Sequence, residues 1–316
     1  MRRNNKTNFA NLFVCIVTVS LFLTYSVSSI AGPSIPTHSI KLMRVLDPAQ
    51  AGPLSLPSDV TSDANHIYVV DGGNHRVVTF DRKGNYLFHF GTQGSNEGQF
   101  ESPVGVTAIH NKVYVADSGN HRIQIFNKDG EFIRSIITRN NKDLVRPIDI
   151  SVSSDGKELY VTENTNHSIM VMSQDGRLLR KWGSNGVNTG QFRYPATIAH
   201  LNDERIAVVD VLNTRVQVFN PDGDLSLMVG DWGVLPGQLY RPKGIAVDGK
   251  GRFYVSDSYM NLVQVYDDDG SFLYVLGDDG TPHPFSTPVG MTVDDLQQLY
   301  VVEMLKNTVS VFSLKP

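Results

Sequence analysis

Apolar residues in this chain come in short runs broken by polar turns, and the runs recur at a fixed spacing. The plainest copy is Tyr114 to Phe126, where V-Y-V-A ends at Asp117, a polar stretch S-G-N-H-R follows, and I-Q-I-F closes the unit. Aligned on the acidic residue, Asp71, Asp117, Glu163, Asp210, Asp257 and Glu303 each lie three residues after Tyr68, Tyr114, Tyr160, Ala207, Tyr254 and Tyr300. The same six lie nine residues before Phe80, Phe126, Met172, Phe219, Tyr266 and Phe312. A proline precedes every copy, at 57, 103, 147, 195, 242 and 288, in steps of 44 to 48 residues. Period-two alternation marks the short runs as strands, and no helical period survives in the repeats. A period of this length filled only with short strands predicts a propeller or a similar array.

Each unit reads as four strands. The innermost follows the proline, the second ends at the acidic residue, and the third ends at the aromatic. The outermost follows a Lys-Gly or Asp-Gly hairpin turn at Gly84, Gly130, Gly176, Gly223 and Gly270. The sixth unit stops at Ser313-Leu314-Lys315-Pro316 without a fourth strand, whereas Ile40 to Leu46 reads as a fourth strand without a unit. The fold expected is therefore all-β: a six-bladed propeller spanning residues 38–316, its ring closed by an N-terminal strand that completes the last blade. Closure of this kind removes two exposed edges.

The block D-S-G-N-H-R-I-Q-I-F, the D-G hairpins and the linkers Gly98-Gln99-Phe100, Gly190-Gln191-Phe192 and Gly237-Gln238-Leu239 resemble NHL repeats. The resemblance runs over about residues 40 to 312 and implies the same six blades. It also implies two kinds of activity to test, since related propellers include metal-dependent lyases and lactonases with a site at the channel mouth, and others that bind proteins or RNA.

The N-terminus differs from the rest. Arg2, Arg3 and Lys6 precede an apolar run from Leu12 to Tyr25, and Ser29-Ile30-Ala31 offers a small-x-small cleavage site. Residues 1–31 are expected to be a secretory signal peptide, with an uncleaved membrane anchor as the alternative, and residues 32–37 a linker. The chain is then secreted or periplasmic, or tethered with membrane contact through residues 9–30 alone. The single cysteine, Cys15, lies inside the apolar run, so no disulfide framework is expected. Without residues 1–31 the chain keeps 25 basic against 32 acidic residues, a net charge of −7, which argues against nucleic acid as a partner.

Candidate chemistry divides into repeated and unrepeated positions. In the repeated Asn-His-Arg, Asn74 and Asn120 are expected to take the left-handed backbone of a tight turn. Arg76, Arg122 and Arg215 are expected to pair with Asp71, Asp117 and Asp210, of their own or the next blade, through a planar fork suited to carboxylates. The competing reading of these residues is a ring of polar ligands. Departures from the repeat point elsewhere, because repeat architectures carry variation on a binding face. In the loops between second and third strands, the first two units have Gly72-Gly73 and Ser118-Gly119, whereas later units have Val211-Leu212, Tyr259-Met260 and Met304-Leu305. With Trp232 these make an apolar half-face, expected to bind a protein or peptide on a monomer. Two residues after the prolines stand Asp59, Gly105, Asp149, Thr197, Gly244 and Gly290. Asp59 and Asp149 would be the ligands of a divalent cation in the channel, with Thr197 assisting a lyase or lactonase reaction, or else solvated carboxylates that Lys243 neutralises. The nine histidines are scattered over loops, linkers and both ends of the channel, so no catalytic zinc site, cofactor or enzymatic activity is expected.

Overall fold

The computed structural model describes residues 35–315; the signal-peptide reading of residues 1–31 lies outside them. Six four-stranded antiparallel sheets form six blades. Each innermost strand starts at its proline: Pro57–Ser62, Pro103–Ile109, Pro147–Val152, Pro195–His200, Pro242–Val247 and Pro288–Val293. Proline fits there because it lacks a donor and opens the strand instead of interrupting it. The prolines, the connections between blades and the loops joining second to third strands mark the upper end of the ring.

Lys41–Leu46 pairs antiparallel with Thr308–Ser313 and completes the sixth blade, from Lys41 opposite Ser313 to Leu46 opposite Val309, with a bulge between Leu42 and Arg44. Thr37–His38, at the expected linker boundary, adds a short parallel strand to Phe272–Asp278 of blade five. No helix among the described residues is long and apolar enough to cross a membrane.

Packing follows from the alternation. One set of alternate residues from each sheet meets the facing set of the next blade, giving six apolar clusters, one at each junction between neighbouring blades. The tyrosines of the second strands are fully buried in these junctions, and their hydroxyls find polar partners, as Tyr300 does with Asp294 Oδ2 at 2.9 Å. The hairpins differ from two-residue turns. Asp81 and Tyr86 bracket four loop residues, with Gly84 at φ 89° and the Asp81 side chain accepting the N–H groups of Lys83 and Asn85.

Candidate functional site

At the upper end the repeated motif builds a frame. In blade two the Asp117 carboxylate is wholly buried, accepts the N–H of Glu101 at 2.7 Å from the incoming connection, and pairs with Arg122 Nε at 2.7 Å. Blades one and four repeat the pair, with Arg76 to Asp71 at 2.7 Å and Arg215 to Asp210 at 3.0 Å. Each arginine pairs with its own blade's carboxylate, and its remaining donors hold carbonyls of the connection, as Arg122 holds those of Ser95, Asn96 and Gln99.

Asn74 and Asn120 do not take the left-handed backbone. That conformation falls one residue later, at His75, His121, His167, Thr214, Asn261 and Asn307, with φ from 54° to 58°. The asparagine ends a single 3₁₀ turn, and its amide donates to the buried carboxylate and to the connection: Asn120 Nδ2 reaches Asp117 Oδ2 and Gly94 O, both at 2.9 Å. The left-handed residue of the same turn, His121, has a buried ring nitrogen, Nδ1, without a hydrogen-bond partner. Asn120→Ala is expected to cost about 2 kcal/mol for two lost hydrogen bonds, whereas His121→Gly suits the positive φ and costs little; urea unfolding of the two variants checks the assignment.

A further part of the frame escaped the sequence reading. Gln124, Gln217 and Gln264 each accept a glycine N–H of the connection, from Gly98, Gly190 and Gly237, at 2.9, 2.9 and 2.8 Å. The signal was present: these glutamines occur in the three blades that a Gly-Gln-Phe or Gly-Gln-Leu linker precedes, and nowhere else at that position.

The structure corrects the channel carboxylates. Asp59 and Asp149 are not solvated; each is 5% exposed. Asp59 Oδ2 accepts the N–H of Val106 on blade two, and Asp149 Oδ2 that of Ile198 on blade four, both at 2.9 Å. Their other oxygens lie over the preceding blade, where a Cβ on Gly290 or Gly105 would come within 2.3 Å of Asp59 Oδ1 or Asp149 Oδ1. Each aspartate thus bonds to the following blade and packs against the preceding one, and Gly105 and Gly290 are required because the carboxylates occupy their Cβ space. Thr197 is a strap too, its hydroxyl donating to the carbonyl of Lys243, and Ser256 Oγ donates to Val289 O at 2.9 Å. Burial pushes the Asp59 carboxyl up to about 7. Burial, and then the charge of Asp59, raise Asp149 well above the usual carboxylate range. Lys243 forms no ion pair with either carboxyl, so it does not neutralise them. Carboxyls with raised pKa values, already accepting backbone N–H groups, suit a cation poorly, and no cluster of three or more ligating side chains occurs among the described residues.

Above this layer the residues one past each proline form a ring: Ser58, Val104, Ile148, Ala196, Lys243 and Val289. All six line an upper cavity of about 210 Å³, with Met304 at its side and Asp59, Asp149 and Thr197 as its floor. Met304 therefore faces the channel and the junction of blades six and one. Val211, expected on the surface, is buried in the junction of blades four and five. Met260 is half-buried, its N–H donating to Asp257 Oδ1. Leu212, Trp232, Tyr259 and Leu305 are exposed, and the Tyr259 ring packs tilted against Tyr240 with ring centroids 4.4 Å apart.

The NHL repeat family model matches residues 54–80, 100–126 and 239–266, which lie in blades one, two and five. This chain carries NHL repeats. Blade four of the NHL propeller keeps the same frame through Asp210, Asn213 and Arg215, whereas blade three replaces the arginine with Ser168, whose hydroxyl bonds Glu163. No curated protein matches the chain. Among solved structures it is similar to a streptogramin B lyase, 18% identical, with a TM-score of 0.60 over 87% of this chain and 97% of that one. It is also similar to a catalytically inactive virginiamycin B lyase from Staphylococcus aureus with quinupristin, 14% identical, TM-score 0.61, over 90% and 97% of the two chains. A gluconolactonase from Xanthomonas campestris is 19% identical, TM-score 0.61, over 89% and 97%. At such identities the likeness to the NHL propeller is one of fold.

Proposed function

We propose that the chain is an exported binding module, not an enzyme, and that it takes an acidic peptide or protein segment on the upper face of blades three to five. The observation that carries this reading is a run of exposed arginines, Arg146, Arg193 and Arg241, at the entries to those three blades, none of them in an ion pair among the described residues. Exposed or half-exposed Tyr194, Leu212, Tyr240 and Tyr259 stand among them. The connections into these blades carry Asp143 and Asp231 as their acidic residues, so the sector is basic on a chain of net charge −4. Arginine and tyrosine are the side chains that anchor protein interfaces, and the arginine fork matches a carboxylate. The lyase or lactonase alternative asked Asp59, Asp149 and Thr197 to meet a cation or substrate, and all three already serve as straps between blades.

Fluorescence anisotropy with an aspartate- and glutamate-rich peptide library tests the reading. Arg146→Glu/Arg241→Glu is expected to weaken the best binder about tenfold or more for each charge-assisted hydrogen bond removed, and Tyr259→Ser to weaken it further. Melting should be unchanged in the arginine variant, whose side chains make no hydrogen bond or ion pair among the described residues, and should fall only slightly in Tyr259→Ser, which loses the contact with Tyr240. A library without binders, or binding indifferent to charge reversal, would sink it.

A further inference from the structure

Lys243 is the only charge in its ring. The five equivalent positions are Ser58, Val104, Ile148, Ala196 and Val289, so an ammonium has been placed in an otherwise largely apolar collar. Lys243 is half-buried and makes no ion pair or side-chain hydrogen bond among the described residues. Burial, with the nearby Arg241 charge added, holds its pKa below the ordinary lysine value. Its ammonium keeps contact with water and has no anionic partner within the fold, so it is free to receive one. Its natural partner is an anion arriving from outside.

The surroundings restrict that anion. The cavity of about 210 Å³ has mostly apolar walls in Val104, Ile148, Ala196, Val289 and Met304, so the charge must be attached to an apolar group. One ammonium at the mouth, over a floor of two acidic side chains, fits a single negative charge and disfavours a phosphate dianion. The rim above is basic, with Arg241 close enough to act on Lys243 and Arg146 at the equivalent position of blade three.

We infer that the upper channel is a receptor for a carboxylate borne on an apolar group, the carboxylate paired with Lys243 at the mouth and the apolar group seated in the collar below the arginine rim. The carboxylate has two sources: a free apolar monocarboxylic acid, or the C-terminal residue of a peptide lying on the upper face. The second source rests on the function proposed above; the first does not.

The test titrates the full chain by calorimetry with phenylacetate, phenylacetamide, inorganic phosphate, and an acidic peptide ending in leucine as the free acid and as the amide. Phenylacetate is expected to bind and phenylacetamide and phosphate not to. The free-acid peptide should bind at least about tenfold more tightly than its amide, the scale of one charge-assisted bond. Lys243→Met should abolish both differences while leaving the melting temperature at or above wild type, which separates loss of the site from loss of the fold. If phenylacetate binds through Lys243 but neither peptide binds, the carboxylate receptor stands with a free acid as its ligand, and the peptide-binding function fails. If both peptides bind equally and phenylacetate does not, the receptor is overturned while the peptide face survives. Binding of phosphate or of a single-stranded RNA oligonucleotide through Lys243 would also overturn it.

Discussion

Removal of Lys41–Leu46 is expected to abolish the cooperative fold. This strand supplies the outer pairing of blade six, with partners from Ser313 to Val309, and its loss gives up about 5 kcal/mol of backbone hydrogen bonding at roughly 1 kcal/mol per bond. Leu46, 2% exposed in the junction of blades six and one, adds about 2 kcal/mol of burial. Arg44 Nη2 adds bonds to Arg82 O at 2.8 Å and Gln298 Oε1 at 2.7 Å, so blades one and six also lose part of their latch. The sum is comparable with the whole stability of a typical domain, about 5–15 kcal/mol. Thr308–Ser313 would be left as an open edge and a template for aggregation. Circular dichroism melting of the deleted chain, with and without a synthetic peptide of residues 37–47 in trans, gives the answer: a lost transition restored by the peptide is expected, and an undisturbed melt would mean that the ring does not depend on this closure.

The same strand shows what could be read from the chain and what could not. A fourth strand without a unit and a unit without a fourth strand are facts of order along the sequence, so closure was legible. Blade number, strand order and the acid–arginine pairs were legible for the same reason, since repetition exposes what every blade needs. The channel was not. Asp59 and Asp149 look like ligands when read as departures from glycine, because nothing in one dimension says that a carboxylate of blade one lies over Gly290 and reaches Val106. Their partners are 231 and 47 positions away for Asp59, and only the circular geometry brings them together. Val211 and Leu212 are adjacent and equally apolar, yet one is buried and the other exposed. That difference is set by how a single turn sits on the next blade. Lys243 was noticed only as a counter-charge, since the apolar ring that isolates it is built from six separate blades.

Between pH 5 and pH 8 the protein is expected to lose stability as the pH rises, the reverse of ordinary acid denaturation. The sign follows from the buried carboxyls. Asp59 has its folded pKa pushed up to about 7 by burial, against about 4 in an unfolded chain. Over that interval the native state holds the proton that the unfolded state has released, so stability declines with pH and levels off above about 7. For Asp59 alone the change between pH 5 and pH 8 is about 3 kcal/mol, at 1.36 kcal/mol per pH unit from 5 to about 7. Asp149, raised by burial and by Asp59, acts in the same direction, as does Asp210, which burial raises despite Arg215. Carboxyls held low, such as Glu158 beside Arg180, complete their titration below the window. His283 opposes the trend, because burial lowers its pKa and its neutral form gains as the pH rises through about 6.5. Three carboxyls outweigh one half-buried imidazole. Urea midpoints should therefore be lower at pH 8 than at pH 5, and Asp59→Asn/Asp149→Asn should remove most of the difference, because an amide has no proton to lose and no charge to bury. A wild-type midpoint equal at both values would mean that both aspartates are charged in the native ring and that their straps to Val106 and Ile198 stabilise the charge more than burial penalises it, and a slope that survives in the double variant would mean that it does not come from these two carboxyls.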